Sequence, residues 1–96
     1  MKKEKSLQEV GPKVSTDNSG AAQRQKLYRE LQNLPGGMTT DQIRDDLDIM
    51  MPAARVHELR WREGRNIVTL WDRIETKPGR WHRVARYVLM PGEWGE

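Results

Sequence analysis

The chain has 96 residues, of which 17 are Lys or Arg and 14 are Asp or Glu, and it contains no cysteine. A chain of this length supports one small domain with a modest core, and the lack of cysteine excludes disulfides and thiolate metal sites. No apolar run reaches the roughly 18 residues of a membrane span, so we expect a cytoplasmic protein with no membrane partner.

The charge is distributed unevenly along the chain. Residues 51–90 hold nine basic and four acidic residues, whereas residues 36–50 hold one basic and four acidic residues. The positive charge therefore lies in the second half, in segments suited to face a phosphate backbone. The alternative interpretation is that these charged side chains only form solvated surfaces and bind no partner.

The first third of the chain predicts an arm and one helix. Residues 1–19 are polar and rich in Lys and Ser, so we interpret them as a disordered arm, either a plain tail or a phosphate-touching segment. A helix is expected to begin near Ser19 and to end near Leu34, because Leu27 and Leu31 recur at helical spacing and Pro-Gly-Gly follows.

Two short helices joined by a tight turn are predicted next. Thr39 and Gln42 have the spacing of a capping box, which marks the start of the first of these helices. Pro52 suits the first position of the second helix, and Gly64 suits its C-terminal end. This is the layout of a helix-turn-helix, whose second helix enters a DNA major groove.

The second of these helices has two distinct faces. Val56 and Leu59 form its buried stripe, and the residues opposite that stripe on a helical wheel are Ala54, Glu58 and Trp61. Trp61 either folds back on the following hairpin or marks a protein-binding surface. Arg60 lies beside the buried stripe, where we expect an internal ion pair.

A β-hairpin with strands 66–73 and 81–90 is expected to follow, with a Pro-Gly turn at 77–80. Pairing across a two-residue turn places Val68 and Leu70 on the core-facing side with Tyr87 and Leu89, and it sets Trp71 opposite Arg86 on the other side. A longer loop would shift this register by one residue. Residues 91–96 carry no strand or helix signal and are interpreted as a tail.

Three motifs of the chain are distinctive: Pro-Ala-Ala-Arg-Val at 52–56, Glu-Leu-Arg at 58–60 and Ala-Arg-Tyr-Val-Leu at 85–89. In these motifs above all, residues 23–89 resemble a family of small helix-turn-helix domains of bacteriophages and prophages. Members of that family resemble winged helices and are generally regarded as DNA-binding regulators of phage genes. The resemblance therefore implies an α+β winged helix over residues 20–90, with a two-stranded wing, acting in a bacterial host cell.

Within that interpretation, the candidate DNA contacts divide by geometry. The residues expected on the recognition helix are Ala54, Arg55, Glu58 and Arg62. The residues expected to hold phosphates, or to contact DNA from the wing, are Thr39, Thr40, Arg65, Lys77, Arg80 and His82. Arg55 has an alternative role, which is to pair with the aspartates of the preceding helix.

Catalytic, metal-binding and cofactor-binding patterns are absent from the sequence. The two histidines, His57 and His82, do not have the spacing of a metal pair. The four aspartates between residues 41 and 48 lack the loop glycine and the bidentate glutamate of a calcium site. We therefore expect a protein that is not an enzyme and that needs no cofactor.

Three functional hypotheses follow, and in each of them the protein has a non-catalytic role. The first is a sequence-specific, double-stranded-DNA-binding transcriptional regulator of a bacteriophage or prophage. The second is a winged-helix protein-interaction module, anchored by Trp61, Trp71 or Trp94. The third is an architectural DNA-binding factor in phage replication, recombination or excision. A single recognition helix usually needs a second copy for tight binding, so a homodimer or a host or phage partner remains open.

Overall fold

Three helices and three strands make up the fold in the computed structural model, which describes residues 19–95. The helices are α1 (Gly20–Asn33), α2 (Thr40–Leu47) and α3 (Pro52–Glu63). The strands are β1 (Met38–Thr39), β2 (Arg65–Lys77) and β3 (Arg80–Glu93), which form an antiparallel sheet in the order β1-β3-β2. The predicted order of three helices and a hairpin is confirmed, and β1 adds an unpredicted strand. Residues 1–18 of the predicted arm lie outside the described residues.

The helix ends follow the sequence signals. The Ser19 hydroxyl caps α1 by accepting a hydrogen bond from the Ala22 amide at 3.2 Å. Thr39 and Gln42 form the predicted capping box of α2, with bonds of 3.2 and 2.9 Å. Gly64 ends α3 at φ 70°, a left-handed conformation that glycine adopts without steric cost. None of the three helices is long and apolar enough to cross a membrane.

The core lies between the three helices and one face of the sheet. Helices and sheet both contribute buried apolar side chains to it, which include Leu27, Leu31, Ile43, Leu47, Val56, Leu59, Ile67 and Tyr87. Met38 on β1 and Ile49 in the turn between α2 and α3 are buried in the same cluster, although the sequence did not single them out. Each helix thus packs along the stripe that its apolar spacing predicts.

The hairpin register differs by one residue from the two-residue-turn prediction. The turn does have two residues, but a bulge on β2 within residues 75–77 shifts the rest of the ladder. Trp71 therefore pairs with Ala85 rather than with Arg86. A bulge inserts one extra residue on one strand, and because side chains alternate between faces, the shift moves the neighbouring residues of β2 to the opposite side.

This shift decides which residues reach the core. Ile67 on β2 is fully buried and pairs with Leu89, while Leu70 is 50% exposed. The prediction that Val68 and Leu70 face the core is therefore wrong. The prediction is correct for β3, where Tyr87 is buried in the core and Leu89 packs against it.

A close approach between β1 and β3 fixes the base of the hairpin. Gly37 precedes β1 at φ 74°, a conformation that side chains with a Cβ rarely adopt. A Cβ at this position would overlap the Tyr87 carbonyl and would lie 2.8 Å from a methyl group of Val88. The glycine therefore permits the Met38–Tyr87 pairing that attaches β1 to the sheet.

The segment after residue 90 is more structured than predicted. β3 continues to Glu93, and the Trp94 amide donates a hydrogen bond to the Gly64 carbonyl at 3.0 Å. The Asn66 side-chain amide donates to the Pro91 carbonyl at 2.7 Å. The interpretation of residues 91–96 as a tail without strand structure is therefore wrong for 91–93, because these bonds tie the strand end to the α3–β2 connection.

Candidate nucleic-acid interface

Two of the predicted base-reading residues on α3 face α1. Glu58 Oε1 lies 2.9 Å from Arg24 Nη1 and 3.2 Å from Arg55 Nε. The side chains of the three residues are only 16–19% exposed. The prediction that Glu58 lies on the exposed side of the helix is wrong, because α1 supplies it with a cation. The described contacts of Arg55 are with Glu58 and with Gln23 of α1, so the alternative of pairing with the α2 aspartates is also wrong.

Glu63 completes this α1–α3 ion-pair cluster, which consists of Arg24, Arg55, Glu58 and Glu63. Its carboxylate lies 3.3 Å from Arg24 Nε. The hydrogen bond from Arg24 lowers the pKa of the Glu58 carboxyl below its ordinary value, although partial burial acts in the opposite direction. The same bond raises the pKa of Arg24. The cluster therefore holds α1 against α3, and the base-reading roles of Arg55 and Glu58 stay predictions that would require these pairs to open.

The exposed surface of α3 is largely uncharged. Between residues 50 and 61, the exposed residues are Met50, Met51, Ala53, His57 and Trp61, with Ala54 half-buried. None of the exposed ones is Lys, Arg, Asp or Glu. Arg62 is exposed at the C-terminal end of the helix, as predicted. A helix of this kind offers small and apolar contacts at its centre and a cation at one end.

Of the two interpretations of Trp61, the structure confirms that it folds back on the hairpin, and its role as a protein-binding surface stays a prediction. Its ring contacts Trp94 edge-on, with centroids 6.1 Å apart, and it lies 6.2 Å from the ring of His57. The side chain therefore does contact the end of the hairpin. At the same time, Trp61 remains 64% exposed and contributes a large apolar area to the surface of α3.

Arg60 is held inside the fold by neutral groups. Its Nε donates to the Ile67 carbonyl at 2.7 Å, its Nη2 donates to the Thr69 hydroxyl at 2.8 Å, and its guanidinium lies 4.1 Å above the Trp94 ring. Burial lowers the pKa of Arg60, as expected for a cation taken out of water. The predicted location is correct, but the predicted ion pair is wrong because the polar partners available on β2 are uncharged.

The start of α2 offers less to a phosphate than predicted. Thr39 is 8% exposed and its hydroxyl is used in the capping box, which contradicts its predicted role as a phosphate contact. Thr40 is half-buried, and its hydroxyl lies 3.5 Å from the Ala85 carbonyl. Both side chains are therefore engaged in positioning α2 against the sheet.

The tip of the hairpin has the exposure that phosphate contact requires. Lys77, Arg80 and His82 are all exposed, and none of them forms an ion pair with another residue of the 19–95 segment. Arg65, at the other end of β2, is half-buried: its guanidinium lies 4.0 Å above the Tyr28 ring and 3.7 Å from Glu63. Of these four predicted contacts, three are thus accessible residues at the tip and one, Arg65, packs against α1.

The geometry of α2, α3 and the hairpin agrees with a comparison of the sequence to known families. A family model described as a winged helix-turn-helix domain matches residues 22–92, which is most of the chain. The chain belongs to the winged helix-turn-helix family. No curated protein and no solved structure matches it. In this winged helix, α2 and α3 form the helix-turn-helix and the β2–β3 hairpin is the wing, an arrangement that suggests DNA binding.

The distal wing carries an aromatic and basic surface whose Trp and Arg residues are evident in the hairpin sequence but were not predicted to share one face. Trp71, Arg73, Trp81 and Arg83 lie on one face of the hairpin, which we call the Trp–Arg face. Arg83 lies 4.4 Å above the Trp71 ring and Arg73 lies 5.4 Å from the Trp81 ring centre. The alternation Trp-x-Arg on both strands was the available signal, but it becomes one surface only in the bulged register.

Proposed function

We propose that this winged helix is a sequence-specific double-stranded DNA-binding protein that regulates transcription of a bacteriophage or prophage in the bacterial cytoplasm. The observation that supports it best is the exposed cationic wing tip formed by Lys77 and Arg80, in a fold whose helix-turn-helix has an accessible face on α3. The phage role rests on the resemblance of the α3 and β3 motifs to phage domains. In this proposal the protein is not an enzyme.

The contacts divide between groove and backbone. Ala53 and Ala54 on α3 enter the major groove, where small apolar side chains pack against thymine methyl groups, and His57 follows one turn later on the same helix. Arg62 and the wing tip hold phosphates on either side, which fixes the position of α3 without reading sequence. Two copies on adjacent half-sites supply the affinity that one recognition helix lacks.

A salt titration tests this assignment. Fluorescence anisotropy with random-sequence duplex DNA, repeated at several salt concentrations, is expected to show binding that weakens steeply as salt rises. Arg80→Ala should weaken binding to all sequences equally and reduce the salt slope by about one unit. Arg29→Ala, which removes the same charge from an exposed position on α1, is the matched control and should leave the slope unchanged.

Two outcomes would contradict the proposal. A folded protein that binds no duplex at low salt would exclude DNA binding of this kind. If Arg80→Ala changed the preferred sequence and left the salt slope unchanged, the division between reading and backbone residues would be wrong. When duplex binding is present, selection from a random library identifies the preferred site.

A second candidate function is favoured by the exposed side chains around α3. Met50 and Met51 before α3 and Trp61 near its end are 66, 65 and 64% exposed, and large exposed apolar side chains are common at protein interaction sites. In this alternative the winged helix is a protein-interaction module anchored at Trp61. Trp61→Ala would then abolish partner capture and leave duplex binding and its salt slope unaffected.

A further inference from the structure

The Trp–Arg face contains a like-charge pair that the fold itself does not need. Arg73 and Arg83 are directly opposite each other in the β2–β3 ladder. Like charges in opposed positions destabilise a sheet, and neither guanidinium forms an ion pair with another residue of the 19–95 segment. A bound anion would offset this repulsion.

The two tryptophans of the face are positioned diagonally from these arginines. Trp71 pairs with Ala85 and Trp81 pairs with Glu75, so each arginine extends along the sheet toward one indole. The cation covers one side of each ring, while Trp71 and Trp81 remain 59 and 52% exposed. The stacking therefore holds two indoles in place and leaves much of each accessible.

The spacing of the two rings suits an extended strand of nucleotides. Trp71 and Trp81 stand four residues apart along the ladder, which corresponds to about 13 Å at the rise of a β-strand. Lys77 and Arg80 continue the positive charge to the tip of the wing. Of the acidic neighbours, Asp41 lines the same cavity as Trp71 and Arg83 and lies 3.7 Å from Arg44. Asp72 is paired with Arg86, and Glu75 accepts a hydrogen bond from the Gly79 amide, so each of the three carboxylates is engaged.

We propose that the Trp–Arg face binds single-stranded DNA, with bases stacked on Trp71 and Trp81 and phosphates paired with Arg73 and Arg83. Aromatic platforms beside a cationic path are the means by which proteins bind unpaired strands without reading their sequence. In duplex DNA the faces of the bases are covered by stacking and cannot reach the indoles. The Trp–Arg face would therefore bind unpaired strands, a form of DNA that the groove-reading α3 does not recognise. The inference goes beyond the proposed duplex binding and does not depend on it.

Anisotropy titration of the full chain tests this, using fluorescein-labelled oligothymidylate and a blunt duplex of the same length as separate probes. The double variant Trp71→Ala/Trp81→Ala is expected to bind oligothymidylate at least about ten-fold more weakly and to bind the duplex unchanged. Trp61→Ala is the matched control, since it removes an equally exposed indole from α3, and should leave oligothymidylate binding unchanged. Trp71→Tyr/Trp81→Tyr should retain most of the affinity because tyrosine also stacks. Circular dichroism checks that each variant is folded.

Each other outcome overturns the inference. It fails if the folded wild-type chain does not bind oligothymidylate, if the double alanine variant binds it normally, or if Trp61→Ala or the tyrosine variant loses as much affinity. An equal loss for duplex and oligothymidylate in the double variant would assign the face to duplex contact. Duplex binding is measured separately, so its absence would refute the proposed function while Trp-dependent oligothymidylate binding would still support this inference.

Discussion

Arginine side chains are paired inside the fold at the α1–α3 interface but lie on the exposed surface of the distal wing. At the interface, Arg24 and Arg55 are paired with Glu58 and only 16–19% exposed, so their charge is neutralised inside the fold. On the wing, Arg73 and Arg83 lie above exposed indoles and directly opposite each other. The number of arginines in the sequence therefore overstates the exposed positive charge on α3, where Arg55 is paired, and gives no indication of the exposed arginine pair on the wing.

The largest effect of a single substitution on stability is expected at Gly37, in the connection between α1 and the sheet. Gly37→Ala places a Cβ at φ 74° against the Tyr87 carbonyl, so it adds backbone strain and a collision with main-chain atoms. We expect a loss of about 4 kcal/mol in the free energy of unfolding, combining the usual costs of strain and overpacking. Urea denaturation measures it. Gly36→Ala, at a site with no atom close to the added Cβ, is the control, and an equal loss in both variants would refute the argument.

The hairpin register gives the next largest effect. Ile67→Ala removes a fully buried side chain from the core and should cost about 3 kcal/mol of unfolding free energy. Leu70→Ala changes a half-exposed residue and should cost less than about 1 kcal/mol. The register without a bulge predicts the reverse order, so denaturation of the two variants distinguishes the registers directly.

Ile67 and Leu70 show the limit of what the sequence was able to predict: the elements of the fold, but not the register of the hairpin. The apolar spacing and the capping signals at Thr39 and Pro52 involve only residues that are close together in the sequence. The sequence alone was therefore enough to locate the three helices and the hairpin. The bulge beside the turn shifts the pairing by one residue, and neither Leu70 nor Ile67 carries a local signal of it. The packing of Trp94 was not predicted for a related reason, because the Gly64 carbonyl and the Arg60 guanidinium that hold it are distant in sequence.

The candidate site was harder to predict than the fold. A helical wheel places Glu58 and Arg55 away from the buried stripe but does not reveal that α1 covers that side of α3 with Arg24. The wing tip was predicted correctly as exposed, because a turn at Pro78–Gly79 leaves its neighbours in solvent whatever the register. The exposure of the wing tip, which depends on a single turn, was therefore predictable from the sequence. The burial of Glu58 and Arg55 was not, because it depends on contact between two helices.

Removing one arginine from each region tests whether the paired arginine contributes to stability and the exposed one does not. Arg55→Ala should lower the free energy of unfolding by about 1–2 kcal/mol, since it leaves a half-buried carboxylate with one partner fewer. Arg80→Ala should change stability by less than about 0.5 kcal/mol, because the side chain is exposed. Thermal denaturation and duplex titration of both variants measure the two effects. If Arg55→Ala left stability intact and altered the preferred DNA sequence, Arg55 would be a base-reading residue after all.

The smallest effect concerns the pH dependence of the ion-pair cluster. The pKa of Glu58 is lowered in the folded protein, so its contribution to stability is fully present above its ordinary pKa of 4.5 and is lost as pH falls through the lower folded value. The difference in melting temperature between the wild type and Glu58→Gln should therefore shrink between about pH 7 and pH 3. In an Arg24→Ala background the hydrogen bond that contributes most to the shift is gone, so the same substitution should show a much weaker pH dependence. An undiminished pH dependence in that background would mean that Arg24 is not the main cause of the lowered pKa.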